Sequence, residues 1–214
     1  MTDPNKTSIT VILDKSGSMD IVRDDTVGGY NTFIEAQKKL PGDCEITLIQ
    51  FNQDTEFTYK SKPIQELKEG LNRDSYMPSG YTGLFDAIGK AINEKGAELS
   101  ALKEEERPGK VMFVIITDGQ ENASKEFNQD KIREMIDHQK STYSWDFTFL
   151  GANIDTNAAS SAIGIDQSKS LSFSTTSKGG ASRAFASVNL YAYSVRSASP
   201  KDASYSQQDR DSNK

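Results

Sequence analysis

The chain has 214 residues, 35% hydrophobic and 26% charged, with a net charge of −6 and its lysines and arginines scattered rather than clustered. That length suits one compact domain, and the scattered cations exclude a nucleic-acid surface, which needs a concentrated basic face. No stretch has signal-peptide character and no window approaches the roughly 20 apolar residues of a membrane span, while the single cysteine, Cys44, rules out an internal disulfide and a cysteine-rich metal centre and suits a reducing cytoplasm.

In chain order, residues 1–7 form a short lead and residues 8–13 (SITVIL) a β-branched run that stops at Asp14, expected as a first, central strand. Residues 24–40 set Val27, Tyr30, Phe33, Ile34 and Leu40 on a helical stripe ended by Pro41-Gly42. A second strand is expected at 45–51, and a polar-alternating strand at 54–59 follows so short a turn that it must pair antiparallel. Residues 63–71 read as a short helix, 72–83 as a turn-rich loop, and 84–106 as the longest helix, stopped by Arg107-Pro108-Gly109. Residues 110–117 (KVMFVIIT) are an almost unbroken apolar run, as in a mid-sheet strand covered on both faces. A helix at 129–139, a strand at 145–150, a small helix at 156–163, a weak strand at 170–173 and a final helix at 178–197 complete one domain over 8–197. The polar residues 198–214 read as a disordered tail. The pattern predicts an α/β fold: a doubly wound, Rossmann-like three-layer sandwich with a mostly parallel sheet, one short antiparallel strand, and helices on both faces.

Three loops of this arrangement carry oxygen-bearing side chains. Asp14-Lys15-Ser16-Gly17-Ser18 follows the first strand, Gly80-Tyr81-Thr82-Gly83 opens the long helix, and Asp118-Gly119 follows the strand at 110–117. Open parallel sheets place ligands in the crevice beyond the carboxyl ends of their strands, so these loops should converge. Two carboxylates (Asp14 and Asp118), three hydroxyls (Ser16, Ser18 and Thr82), and no neighbouring His or Cys suit a hard cation: Mg²⁺, with Mn²⁺ or Ca²⁺ as substitutes. Taken singly, each motif reads equally well as a helix cap or a turn.

The ordered set, Asp-x-Ser-x-Ser at Asp14, Ser16 and Ser18, then Thr82 ahead of a helix, then Asp118 in Ile-Thr-Asp-Gly, resembles the metal-ion-dependent adhesion site of von Willebrand factor type A domains, in a context matching over about residues 7–175. The resemblance implies that Ser16, Ser18 and Thr82 touch the metal and that Asp14 and Asp118 act directly or through water. It further implies that a protein partner fills the remaining position with an Asp or Glu carboxylate. By the same resemblance the chain is a stand-alone bacterial or phage adaptor or assembly factor and not an enzyme, and its C-terminal helix is the element that would move if the site switches state.

Met19, Asp20, Tyr76, Met77 and Tyr81 are expected to surround the metal and set specificity, with Asn153 and Asp155 as further rim candidates on the same sheet edge. Glu121 and Asn122 read as solvated loop residues, with a supporting hydrogen bond at the site as the alternative, His138 as a surface residue, Trp145 as packing and Cys44 as a small buried hydrophobe. One alternative is a metal-dependent phosphohydrolase, because an Asp after the first strand is also a phosphatase nucleophile position. Such enzymes need a second nearby Asp and a phosphate-holding Lys, whereas position 16 is Ser and Lys15 is expected to point away. The other alternative is a structural protein with a degenerate metal site.

Overall fold

Apolar runs of period two and stripes of period 3.6 sort here into one sheet between two helical layers. The computed structural model describes residues 1–197 and 203–213. Its strands are β1 (Asp3–Asp14), β2 (Asp43–Phe51), β3 (Thr55–Pro63), β4 (Pro108–Thr117), β5 (Asp146–Gly151) and β6 (Ser170–Ser172). They form a six-stranded sheet in the order β3-β2-β1-β4-β5-β6. All neighbours are parallel except β2 and β3, so the expected antiparallel hairpin is present.

The helices are α1 (Arg23–Lys38), α2 (Leu84–Ala101), α3 (Gln129–Tyr143), α4 (Thr156–Ala162), α5 (Gly180–Ser197) and α6 (Gln207–Ser212). Because successive strand side chains point to opposite faces, β1 feeds two cores. Ile9, Val11 and Leu13 pack with Phe33 of α1 and with Phe185 and Val188 of α5. Ile12 packs with Ile88 and Ile92 of α2 and with Ile132 and Ile136 of α3. Trp145 stacks on Phe113 at 5.3 Å, so its role is packing. Cys44 is buried, and that burial pushes its thiol up to about 11.

Several expectations need correction. The strand expected at residue 8 begins at Asp3, whose N–H bonds to the Arg107 carbonyl at 2.9 Å, so part of the expected lead is sheet. The helix expected over 63–71 is only a 3₁₀ turn at Ile64–Glu66. Leu67 and Leu71 still bury there, and side chains of α1 meet the backbone's hydrogen-bonding needs in place of a helix. Asn31 brackets Leu71, with Nδ2 donating to its carbonyl and Oδ1 accepting its N–H, both at 2.8 Å, and Lys38 Nζ donates to the Leu67 carbonyl at 2.7 Å. The long helix stops at Ala101 because Leu102 turns extended, and Arg107 Nε then donates to the Leu102 carbonyl. Of the tail expected to be disordered, residues 198–202 and 214 lie outside the described residues. Residues 203–213 carry α6 and bury Ala203, Tyr205 and Asn213. Among the described residues no helix is long and apolar enough to cross a membrane.

Candidate metal centre

The sheet order reverses direction between β1 and β4, and both strands end at the same edge. That switch point opens a crevice where two chain crossovers leave on opposite faces. Asp14 is the last residue of β1, and Asp118 follows directly after β4.

The loop after β1 is locked by its own first residue, since Asp14 Oδ1 accepts the Ser16 N–H at 2.6 Å and Oδ2 accepts the Thr117 hydroxyl at 2.6 Å. Both carboxylate oxygens are thereby aimed. The Ser16 and Ser18 hydroxyls lie 3.3 Å apart, and Ser18 Oγ donates to Asp118 Oδ1 at 2.6 Å, which joins the β1 and β4 loops. A Cβ added at Gly119 would sit 3.1 Å from Thr82 Oγ1 and 3.9 Å from Ser18 Oγ. The absence of a side chain there lets the third loop close on the other two. The Gly17 N–H donates to the carbonyl of Gly80, whose φ of +77° suits glycine. All five of Asp14, Ser16, Ser18, Thr82 and Asp118 therefore meet at one sheet edge.

Asp14, Ser16, Thr82 and Asp118 are buried, whereas Ser18 is exposed. Burial, the largest influence, raises the Asp14 carboxyl to about 6 against the bonds from Thr117 and Ser16, and it also raises Asp118. Asp118 Oδ2 is buried with no hydrogen-bond partner among the described residues. An orphaned carboxylate oxygen among three hydroxyls is a costly arrangement unless a cation compensates it. No cluster of three His, Cys, Asp or Glu that could hold a metal occurs among the described residues, and the donors at this edge, two carboxylates and three hydroxyls, are all oxygen. Hard cations prefer such donors.

Several residues hold this geometry; the sequence pattern offers Glu121 and Asn122 for it only as an alternative to solvated loop residues, and Asp86 not at all. Asn122, read as solvated, accepts the Thr82 N–H through Oδ1 at 2.9 Å and returns its own N–H to the Thr82 carbonyl at 3.0 Å. Glu121 accepts the Phe85 N–H at 3.0 Å and so caps the first turn of α2. Asp86 accepts the N–H groups of Lys125, Glu126 and Phe127, each at 2.9 Å, which fixes the loop beyond Asp118 and lowers the Asp86 pKa despite desolvation. These partners lie about 40 positions apart, and only the Asn, Glu and Asp residue types near helix starts hint at capping.

The expected rim divides. Met19 and Tyr76 are fully buried, so neither lies on the exposed rim: Met19 packs in the core, and the Tyr76 hydroxyl donates to the Asp14 carbonyl at 2.6 Å, supporting the loop after β1. Met77 and Tyr81 are 61% and 70% exposed, and Asp20 is exposed beside them on the loops of this edge. Ile21, on the turn after Ser18, is 81% exposed and lines a surface cleft with Asp20 and Arg73. Asn153 is exposed and donates to Thr175 Oγ1, while Asp155 caps α4 by accepting the Ala158 N–H at 3.0 Å. Asp155 also lines a cleft of about 360 Å³ with Gly119 and Glu121. Lys15 turns away from the crevice to pair with Glu56 on β3 at 2.6 Å, and His138 lies exposed on α3.

A model of the von Willebrand factor type A domain matches residues 8–196. Among solved structures, proximal thread matrix protein 1 from the mussel byssus aligns with a TM-score of 0.63 and 16% identity, over 84% of this chain and 46% of that one. A structure of the same mussel protein has a zinc-occupied MIDAS motif, with TM-score 0.60, 16% identity, and 85% and 46% coverage. The manganese-loaded TRAP protein of Plasmodium vivax aligns with TM-score 0.53 and 13% identity, over 85% of this chain and 74% of that one. The vWF domain of the type V pili tip protein Mfa5 from Porphyromonas gingivalis gives TM-score 0.60 and 7% identity, with 86% and 94% coverage. At these identities the likeness is one of fold, and the chain spans less than half the length of the mussel protein. No curated protein matches significantly.

Proposed function

The chain belongs to the von Willebrand factor type A domain family, and from that premise we propose that it is a metal-dependent protein-binding module whose ion is completed by a carboxylate of its partner. Domains of this family are often metal-dependent interaction modules. The observation that carries the reading is the junction of Ser18, Asp118 and Thr82 at the switch-point crevice, where Asp118 Oδ2 is left buried and unpaired.

Ser16, Ser18 and Thr82 would supply neutral oxygens, and Asp14 and Asp118 the charge. Mg²⁺ is the proposed ion, with Mn²⁺ or Ca²⁺ able to substitute, because the donors are oxygen only. A bound divalent ion supplies a positive centre with a coordination position open to an Asp or Glu. The loops bearing Asp20, Met77 and Tyr81 surround that position and select among partners. A role in phosphate chemistry is disfavoured, because Lys15 is held on Glu56 and position 16 offers a hydroxyl where such enzymes need a second carboxylate. The setting we propose is cytoplasmic, as an adaptor or assembly factor, which suits the buried free thiol of Cys44.

Affinity capture from a host extract in millimolar Mg²⁺, repeated with chelator and with Asp14→Ala, tests this. A specific partner is expected only with metal and intact Asp14. Capture that survives both treatments would sink the reading.

A further inference from the structure

The edge of the sheet opposite the candidate metal centre holds a second cleft. Its place follows from strand direction, since Asp14 ends β1 and Asp118 follows β4, whereas Arg107 comes just before β4 and Trp145 just before β5. α2 and α3 share one core on this face of the sheet. Toward their C-terminal ends they border a cleft of about 270 Å³. Gly96 and Leu99 line it from α2, His138 and Tyr143 from α3, and Val111 and Trp145 from the sheet. The His138 ring meets that of Tyr143 edge-on at 5.7 Å, which makes the α3 side aromatic.

Two polar groups in this apolar lining have capacity left over. Trp145, the single tryptophan of the chain, is 7% exposed, yet its indole N–H has no hydrogen-bond partner among the described residues. Tryptophans this buried usually have one. Arg107, which also lines the cleft, is committed at one nitrogen only. Its Nε donates to the Leu102 carbonyl at 3.1 Å, and neither terminal nitrogen has a hydrogen bond or ion pair among the described residues. No Asp or Glu stands among the described residues that line the cleft, although the chain carries 31 acidic residues and a net charge of −6. A guanidinium without a counter-charge, set beside apolar and aromatic walls, matches a carboxylate carried on an apolar body.

Gly96 is an independent sign. It lies inside α2, where glycine weakens a helix relative to alanine. Packing gives no reason for that loss, because a Cβ at Gly96 would meet nothing within 4 Å. The glycine instead keeps one wall of the cleft open. We propose that this cleft binds a small carboxylate bearing a single aromatic ring, with the acid group held by Arg107 and the ring seated against Trp145 and Leu99. The volume falls just below the usual range of ligand pockets, which suits one ring on a short acidic chain better than a larger cofactor. The site lies at the other edge of the sheet from the metal centre and does not rest on the function proposed above.

Trp145 reports on the cleft directly, because selective excitation of tryptophan sees no other residue. Titration of the full chain with 3-phenylpropionate should give a saturable change in emission with a midpoint below about 1 mM, a modest efficiency for a ligand of that size. The uncharged 3-phenylpropan-1-ol should bind about tenfold more weakly or worse. Arg107→Gln should weaken binding of the acid by about tenfold and leave that of the alcohol within roughly twofold of wild type. Gly96→Leu should melt no lower than wild type and lose the response, since its side chain fills the cleft from a helix position with room for it. Chelator should leave every midpoint unchanged, so failure of the metal reading leaves this result standing. No saturation by about 10 mM, equal affinity for acid and alcohol, or wild-type affinity in a folded Gly96→Leu overturns the proposal. If Gly96→Leu does not fold, the Arg107→Gln comparison decides it.

Discussion

Asp14 concentrates the chemistry of the site in one side chain. Its carboxyl is fully buried and raised to about 6 from an ordinary 3.8. A raised carboxyl is stabilised in its neutral form, so its contribution is full below about 3.8 and is lost as pH rises through about 6. At pH 7.5 the ionised group therefore costs the metal-free fold about 3 kcal/mol. We expect Asp14→Asn to raise the metal-free melting midpoint at pH 7.5 by roughly 6–12 °C while abolishing the Mg²⁺-induced rise. A variant that melts lower than wild type without metal would contradict this account. In wild type, Mg²⁺ must displace the proton, so its apparent affinity should drop as pH falls below about 6. Asn122 acts one step back by holding the backbone of Thr82. Asn122→Ala should weaken Mg²⁺ binding by about tenfold, the scale seen when supporting partners of metal ligands are lost. An unchanged titration isotherm would show that Thr82 needs no such support.

Elements decide how much could be read in advance. The strands and helices that place the site were legible because each has a strong local pattern, from the β-branched run ending at Asp14 to the apolar one ending at Thr117. The five oxygen-bearing residues were legible only as an ordered set, through its resemblance to a metal-ion-dependent adhesion site, since each motif taken singly reads as a cap or a turn. What escaped was whatever depends on long-range pairing. Leu67 and Leu71 look helical by spacing, but Asn31 and Lys38 of α1 satisfy the backbone there instead. Tyr76 and Met19 looked like rim residues because sequence places them beside the motif and says nothing about which way they face. Tyr205 was lost in a polar composition that does not reveal a single anchor.

Packing between elements gives a sharper test in two adjacent glycines of α1. Gly29 faces Phe185 and the Ser182 backbone, whereas a Cβ at Gly28 would meet nothing within 4 Å. Gly29→Val should cost about 2 kcal/mol or more through overpacking. Gly28→Ala should be neutral or stabilise by up to about 1 kcal/mol through helix propensity. Paired thermal or urea melts check this. Equal responses at the two positions would mean that α1 and α5 are not packed as described.

At the scale of the whole molecule, the topology explains why the site can exist. A sheet ordered β3-β2-β1-β4-β5-β6 brings the ends of β1 and β4 side by side although their sequence positions are 100 residues apart at Ser18 and Asp118. The two helical layers then carry the third loop, with Thr82, on one face and the packed helices α1 and α5 on the other. Because the ion would bind only where this edge is assembled, saturating metal should stabilise the fold by mass action, about 2.7 kcal/mol at a hundredfold excess over the dissociation constant. The most direct measurement is anomalous diffraction from a crystal soaked in Mn²⁺. The account predicts one strong peak bounded by Ser16, Ser18 and Thr82, with Asp14 and Asp118 beside it. An ordered, empty crevice at that edge under saturating Mn²⁺, or a peak only at some other place, would contradict it.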